Sequence, residues 1–369
     1  MFRLAYRNLF QSTIRLTISA GGVALALLLV FSLDAILAGS ERQMTAYIDD
    51  TGADLFISQK GVRNMHMASS SIPRNTIDAV MDVDGIEQAT PILYLTNVID
   101  VGEQQFLAYI IGVEQDAPFG GPWDLFKGRS SPNPGEIIID HTVAQKSNLI
   151  LGDNVDVLGR SFKIVGLAKG TTSIINSAAF ISLEDFFQER GTDQVISYLL
   201  ATVTEGQSPN VIARRIEAEI SGITASPRAT FSSGEARIIE DMGADIISLM
   251  NLIGFLIGLA VTGLTTYTAT LARRSEYGML KALGARNIHL YTTVVWQALI
   301  SVTIGFIIAI GLTFLLSVVI PFISPEVGLI VTWSSMTKIA LAAGGIALVS
   351  AILPIWQIAK LDPAMVFRS

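Results

Sequence analysis

The chain has 369 residues, half of them hydrophobic and 15% charged, with a mean hydropathy of +0.51 and a formal net charge of −7. Soluble domains carry about 25% charged residues, so this balance points to lipid rather than to a wholly water-soluble fold. The absence of cysteine excludes disulfides, thiolate metal sites and thiol nucleophiles. An acidic chain also argues against nucleic acid, whose binding needs a basic footprint.

Arg3, Arg7 and Arg15 open the sequence and precede an apolar run over 17–38 whose one charge is Asp34. A bilayer core about 30 Å thick takes roughly 20 apolar residues in a helix, so this run predicts a first span. It exceeds the 7–15-residue core of a cleaved signal peptide and is read as a retained anchor. Leu37-Ala38-Gly39 resembles a lipoprotein processing site, but Ser40 stands where the acylated cysteine would have to be. Asp34 falls about 25 Å along the span at 1.5 Å per residue, which places it near the outer interface as a solvated helix end rather than a proton relay.

Residues 39–245 have the composition of an ordinary soluble α+β domain. Alternating or β-rich runs at 53–58, 91–101, 105–113, 154–157, 162–167 and 198–203 predict strands. Helical patterns occupy 74–83, 140–148, 183–190 and 209–220, the last with Ser208 as cap and Pro209 at the first helical position. The turn-rich interruption at 118–135 marks a candidate boundary between two subdomains. Within the early Ser-rich stretch, Asn64-Met65-His66-Met67 places two thioethers and an imidazole together, ligand types that suit copper or haem iron. The simpler reading is a flexible loop. His141 and His289 stand alone, and Asp49-Asp50 and Glu240-Asp241 read as solvated surface.

Three further spans follow at 246–271, at 291–320 with Pro321 ending it, and at 339–358. The second carries Gly254, Gly258 and Thr262, small residues that let helices approach closely, either within one chain or at a seam between two copies. Arg273, Arg274, Lys281 and Arg286 lie between spans two and three, and Lys360 and Arg368 follow span four, whereas the 321–335 loop has Glu326 and no Lys or Arg. Residues 41–245 hold 28 acidic against 15 basic residues. Positive residues stay cytoplasmic, so both termini and the 272–290 loop are expected inside, the 39–245 domain and the 321–338 loop outside. The expected order is an N-terminal amphipathic helix over 1–16, four spans, and a tail over 359–369.

Three stretches then carry a resemblance. Phe2-Arg3-Leu4-Ala5-Tyr6-Arg7-Asn8-Leu9-Phe10, the segment Ala272 to Arg286 (ARRSEYGMLKALGAR), and Pro354 to Ala364 with its closing Asp362-Pro363 together resemble the MacB/FtsX-type ABC permease family, the type VII mechanotransmission permeases. The middle stretch is the specific one. The resemblance implies that Arg274, Glu276, Tyr277, Gly278, Leu280, Lys281, Ala282, Leu283 and Gly284 couple the permease to an ATPase. By residue spacing, Tyr277, Leu280 and Leu283 share one helix face, and Gly284 ends the helix. The resemblance further implies a homodimer with Gly254, Gly258 and Thr262 near its axis, contact with membrane lipid, two copies of an ABC ATPase, and room for a periplasmic adaptor in the plasma (inner) membrane. No G-x-x-x-x-G-K-[ST] phosphate loop occurs in the chain, so ATP and Mg are expected on the partner and no cofactor on this chain, which is not itself expected to be an enzyme. Three functions compete: an exporter of an amphiphile, lipid, haem, peptide or drug, an FtsX-like regulator of a cell-wall hydrolase, and, more distantly, a membrane-anchored sensor with no ATPase.

Overall fold

The computed structural model describes residues 2–11, 13–101, 104–173 and 177–360. It opens with α1 (Phe2–Phe10) and α2 (Thr13–Asp50). The inserted region then forms β1 (Leu55–Gln59), β2 (Ile72–Pro73), α3 (Thr76–Met81), β3 (Ile86–Val101), β4 (Gln104–Val113), β5 (Leu125–Gly128), β6 (Glu136–Asp140) and α4 (His141–Lys146). It continues through β7 (Asn154–Val157), β8 (Arg160–Ala168), β9 (Ser177–Ser182), α5 (Leu183–Arg190), β10 (Val195–Ile196), β11 (Tyr198–Val203), α6 (Pro209–Glu219) and β12 (Ile223–Pro227). The chain ends in α7 (Arg228–Ala272), α8 (Arg274–Ala282), α9 (Asn287–Ile323), α10 (Trp333–Ser350) and α11 (Ile352–Ala359). Two compact units result: residues 39–242 with 324–328, and the remaining, helical part.

In the first unit a mixed sheet runs β12-β1-β11-β3-β4-β9-β6-β8-β5, with β7 paired to β3 and β8. β4–β9 and β6–β8 are parallel and the other pairs antiparallel. β5 lies inside the expected 118–135 break and pairs with β8, so that interruption does not divide the domain. One apolar cluster packs α3 and α6 onto β1, β11 and β12 through Val80, Ile212, Ile216, Leu55, Leu199 and Ala225. Another takes in Tyr47 and Ile48 from the end of α2 and Phe231 from the start of α7, with Phe231 stacked on Phe56 at 4.8 Å. Asp140 is fully enclosed at the start of α4, where its carboxylate accepts from Thr142 N–H at 2.7 Å and from the Thr171 N–H and hydroxyl at 3.1 and 2.7 Å. Ser208 occupies the cap position of α6, but its hydroxyl makes no capping bond; Pro209 sets that helix start.

Among the described residues, four helices are long and apolar enough to cross a membrane. Each exceeds its expected span. α2 does not end near Asp34 but continues to Asp50, and α7 begins at Arg228, well before residue 246. Pro321 does not stop its helix either, since α9 runs on to Ile323; proline in a last turn removes only one helical hydrogen bond. The fourth span is broken at Ala351 into α10 and α11, where Pro354 lacks the N–H that would bond the Ser350 carbonyl. Val23, Leu27, Phe31, Ala298, Val302, Ala343 and Ile346 form the core of this helical unit.

Candidate functional site

The segment between spans two and three is helical where the spacing predicts it. Arg273 alone separates α8 from α7. Arg273 Nη1 pairs with Glu276 Oε2 at 3.3 Å, and its Nη2 donates to Gln11 Oε1 at 2.8 Å, next to the start of α2. Glu276 sits in the first turn of α8 and Lys281 in its last, charges of the sign that the helix dipole favours at each end. Gly284 adopts φ +89°, and Ala285 N–H donates to Leu280 O at 2.9 Å while Gly284 N–H donates to Lys281 O at 3.0 Å. Those two bonds make a Schellman ending, which needs a residue tolerant of the left-handed conformation at Gly284.

One face of α8 is seated. Tyr277, 2% exposed, packs with Leu290 and Val294 of α9 and with Ala351 and Ile358 at the fourth span, and Leu280 packs against the same group. Gly278 is buried beside Tyr277. Lys281 Nζ donates to the Ile358 carbonyl at 2.7 Å, meeting one of the last carbonyls of α11. Leu283 departs from expectation. It caps the helix beyond Ala282 and is 79% exposed, because the backbone has begun to leave the helix there. Met279 is exposed as well, as are Arg274, Glu276 and Ala282.

Gly254, Gly258 and Thr262, expected near a seam between two copies, make close contacts within the chain. A Cβ at Gly254 would lie 2.5 Å from Val30 Cγ2, and one at Gly258 would lie 2.9 Å from Ile346 Cδ1 and 3.7 Å from Ala26 Cβ. Thr262 is fully buried. These small residues admit spans one and four of the same chain, so the close approach they allow is used internally. The sequence motif reports a close approach and not its partner.

In the domain, the 321–335 loop contributes Glu326, which pairs with Lys146 of α4 at 3.0 Å while its carbonyl accepts from Gln43 at 3.0 Å. Its own backbone N–H, and then Lys146, hold the Glu326 carboxyl below the usual glutamate range. His66 bonds through Nδ1 to Glu235, a carboxylate of α7 with no exposure. Burial pushes the Tyr94 and Tyr198 phenols nearby well above their ordinary value, with Tyr109 and Glu235 adding at Tyr94 and Glu235 adding at Tyr198. Both therefore stay neutral. Glu235 escapes sequence reading because 228–245 is too polar to register as a span, although Phe231, Gly234 and Glu235 recur at helical spacing. Among the described residues no group of three or more His, Cys, Asp or Glu residues could hold a metal. His141 stacks near Phe126 at 4.5 Å, and His289 is exposed. The terminal Asp362-Pro363 lies outside the described residues.

Comparison with known proteins accords with this architecture. Residues 16–219 match the MacB-like periplasmic core domain and residues 248–363 the FtsX-like permease C-terminal domain. An ABC transporter permease of Mycobacterium tuberculosis is 22% identical over 92% of this chain and 92% of its own length. One from Methanocaldococcus jannaschii is 20% identical over 99% and 96%. A putative hemin transport system permease protein, HrtB, of Staphylococcus epidermidis is 23% identical over 82% of each. Among solved structures, the periplasmic region of MacB from Actinobacillus actinomycetemcomitans covers 50% of this chain and 92% of its own, at 13% identity and a TM-score of 0.39. With both family domains matched in order along four apolar helices, the chain is a multi-pass membrane protein that belongs to the MacB/FtsX-type ABC transporter permeases.

Proposed function

We propose that this permease exports an amphiphilic or hydrophobic substrate by mechanotransmission, driven by ATP and Mg on a separate ATPase subunit that docks on α8. The carrying observation is the run from α8 through Arg273 into α7, one helix of 45 residues, about 68 Å long at 1.5 Å per residue. Its far end includes Phe231 and Glu235, which are fully buried in the extracytoplasmic domain. In this reading a displacement applied at the exposed Met279 and Leu283 passes through Arg273 into α7. In this reading both termini and α8 are cytoplasmic, the protein sits in the plasma (inner) membrane, and two copies of each subunit work together. A periplasmic adaptor is compatible with it. The hemin named for the staphylococcal relative is a planar amphiphile, which supports that substrate class. A seam between two copies on Met242, Ile246, Leu249 and Leu256 belongs to this reading and is supported by their exposure on α7 at the four-three spacing of a helix-pairing face.

The test is to co-express the permease with an ABC ATPase and to measure hydrolysis and transport for Glu276→Lys and Gly278→Pro. Proline inside a helix costs about 3 kcal/mol, so α8 should bend, with loss of ATPase stimulation and normal membrane insertion. Normal transport by the proline variant refutes the coupling role. Cells lacking the permease should accumulate a compound. If they accumulate none and instead fail in wall hydrolysis, the FtsX-like regulator replaces the exporter.

A further inference from the structure

The coupling path leaves unused the loop that carries Met65-His66-Met67, and this loop is held with unusual care. His66 has a side chain only 10% exposed, and its Nδ1 is bonded to Oε1 of the fully buried Glu235. The other carboxylate oxygen accepts the Met65 N–H at 2.7 Å. Gly234 brings the loop onto α7, since a Cβ there would lie 2.7 Å from the Arg63 carbonyl oxygen. Tyr109 and Tyr94 hold the imidazole edge-on, with ring centroids 4.3 and 6.0 Å away. Asn64 Oδ1 accepts the Met67 N–H at 3.2 Å and closes the turn.

With Nδ1 committed, Nε2 is the ring nitrogen left for a ligand. Met65, His66 and Met67 all line one cavity of about 280 Å³, whose lining also includes Arg190 and no Asp or Glu. We propose that these three residues form a binding site for a soft monovalent metal ion, of which copper(I) is the biological form. Thioethers and imidazole select soft ions, whereas magnesium, calcium and manganese prefer carboxylate and carbonyl oxygen. Glu235 acts as a positioning residue: a metal-binding histidine commonly gives its second N–H to a carboxylate, which fixes the orientation of the ring. A cation at Nε2 also balances the carboxylate that the fold keeps out of water. Binding here is independent of ATP, of the α8 coupling role and of the transported substrate.

The full chain, purified in detergent, is titrated with silver(I), a redox-stable stand-in for copper(I), by calorimetry. The absence of cysteine removes the usual competing thiolates. One tight equivalent per chain is expected. The paired Met65→Leu and Met67→Leu variant keeps side-chain volume and should weaken binding at least tenfold with an unchanged circular dichroism melt. Glu235→Gln should weaken it 10- to 100-fold, the usual cost of losing such a partner. Zinc(II) in tenfold excess should not displace the silver. The proposal is overturned if no tight equivalent binds, if the double methionine variant binds as the parent does, or if zinc displaces silver.

Discussion

Replacing Tyr277 with alanine should unseat α8 from the helical unit. The side chain is 2% exposed among Leu290, Val294, Ala351 and Ile358. An aromatic side chain buries about 150–250 Å², worth about 4–6 kcal/mol at ~25 cal/mol per Å². Large aromatic-to-alanine changes in cores cost about 3–5 kcal/mol, so about 4 kcal/mol is the working figure. A helix of nine residues is too short to persist alone in water, so the lost packing appears as local opening. At 1.4 kcal/mol per factor of ten, 4 kcal/mol raises the opening constant roughly a thousandfold. Hydrogen exchange on the nanodisc-embedded protein should show the amides of Leu283, Gly284 and Ala285 exchanging faster by about that factor. Amides of β4 and β9 should be unchanged. Protection at α8 that falls less than tenfold would refute the reasoning and assign the seating to the Arg273–Gln11 and Lys281–Ile358 hydrogen bonds.

Cysteines at Ser131 and Ser324 should react with an impermeant thiol reagent in intact cells and one at Ser275 should not; labelling at Ser275 reverses the proposed orientation. Asp140→Ala strands three donors from Thr142 and Thr171 and should destabilise the domain by about 2–4 kcal/mol, read as a lowered melting midpoint. Gly258→Leu should disrupt the packing on Ile346 and lower the stability of the single chain, measured by detergent-resistant unfolding, whereas cysteine pairs at Leu249 rather than Gly254 should cross-link two copies. The Lys146–Glu326 pair should contribute about 0.5 kcal/mol, given its solvent access. Because the folded Glu326 carboxyl is held low, that contribution is present above the ordinary glutamate value of about 4.3 and disappears as pH falls through the lowered one. The Glu326→Gln melting difference should therefore persist at pH 7 and vanish in strong acid.

The four spans were legible because a lipid core imposes a composition rule that needs no knowledge of the partner helices. Gly284 was legible because a helix ending of this kind needs a residue free to take φ +89°, a local requirement. Likewise Leu183–Arg190 and Pro209–Glu219 show their starts and apolar faces within a few residues. The strands β2, β5, β6, β9, β10 and β12 were missed, and β9 shows why: all six of its residues are buried, so no alternation of faces marks it, and its parallel pairing with β4 is a contact across more than sixty residues of chain. The extensions of α2 to Asp50 and of α7 back to Arg228 were likewise invisible to a hydropathy rule. Their polar sequences are helical in the fold because Tyr47, Ile48 and Phe231 find a core in the inserted domain. What composition and local backbone chemistry determine, the sequence alone could tell. Which helix fills the notch at Gly254 and Gly258, and which carboxylate meets His66, depend on residues distant in sequence that only packing brings together.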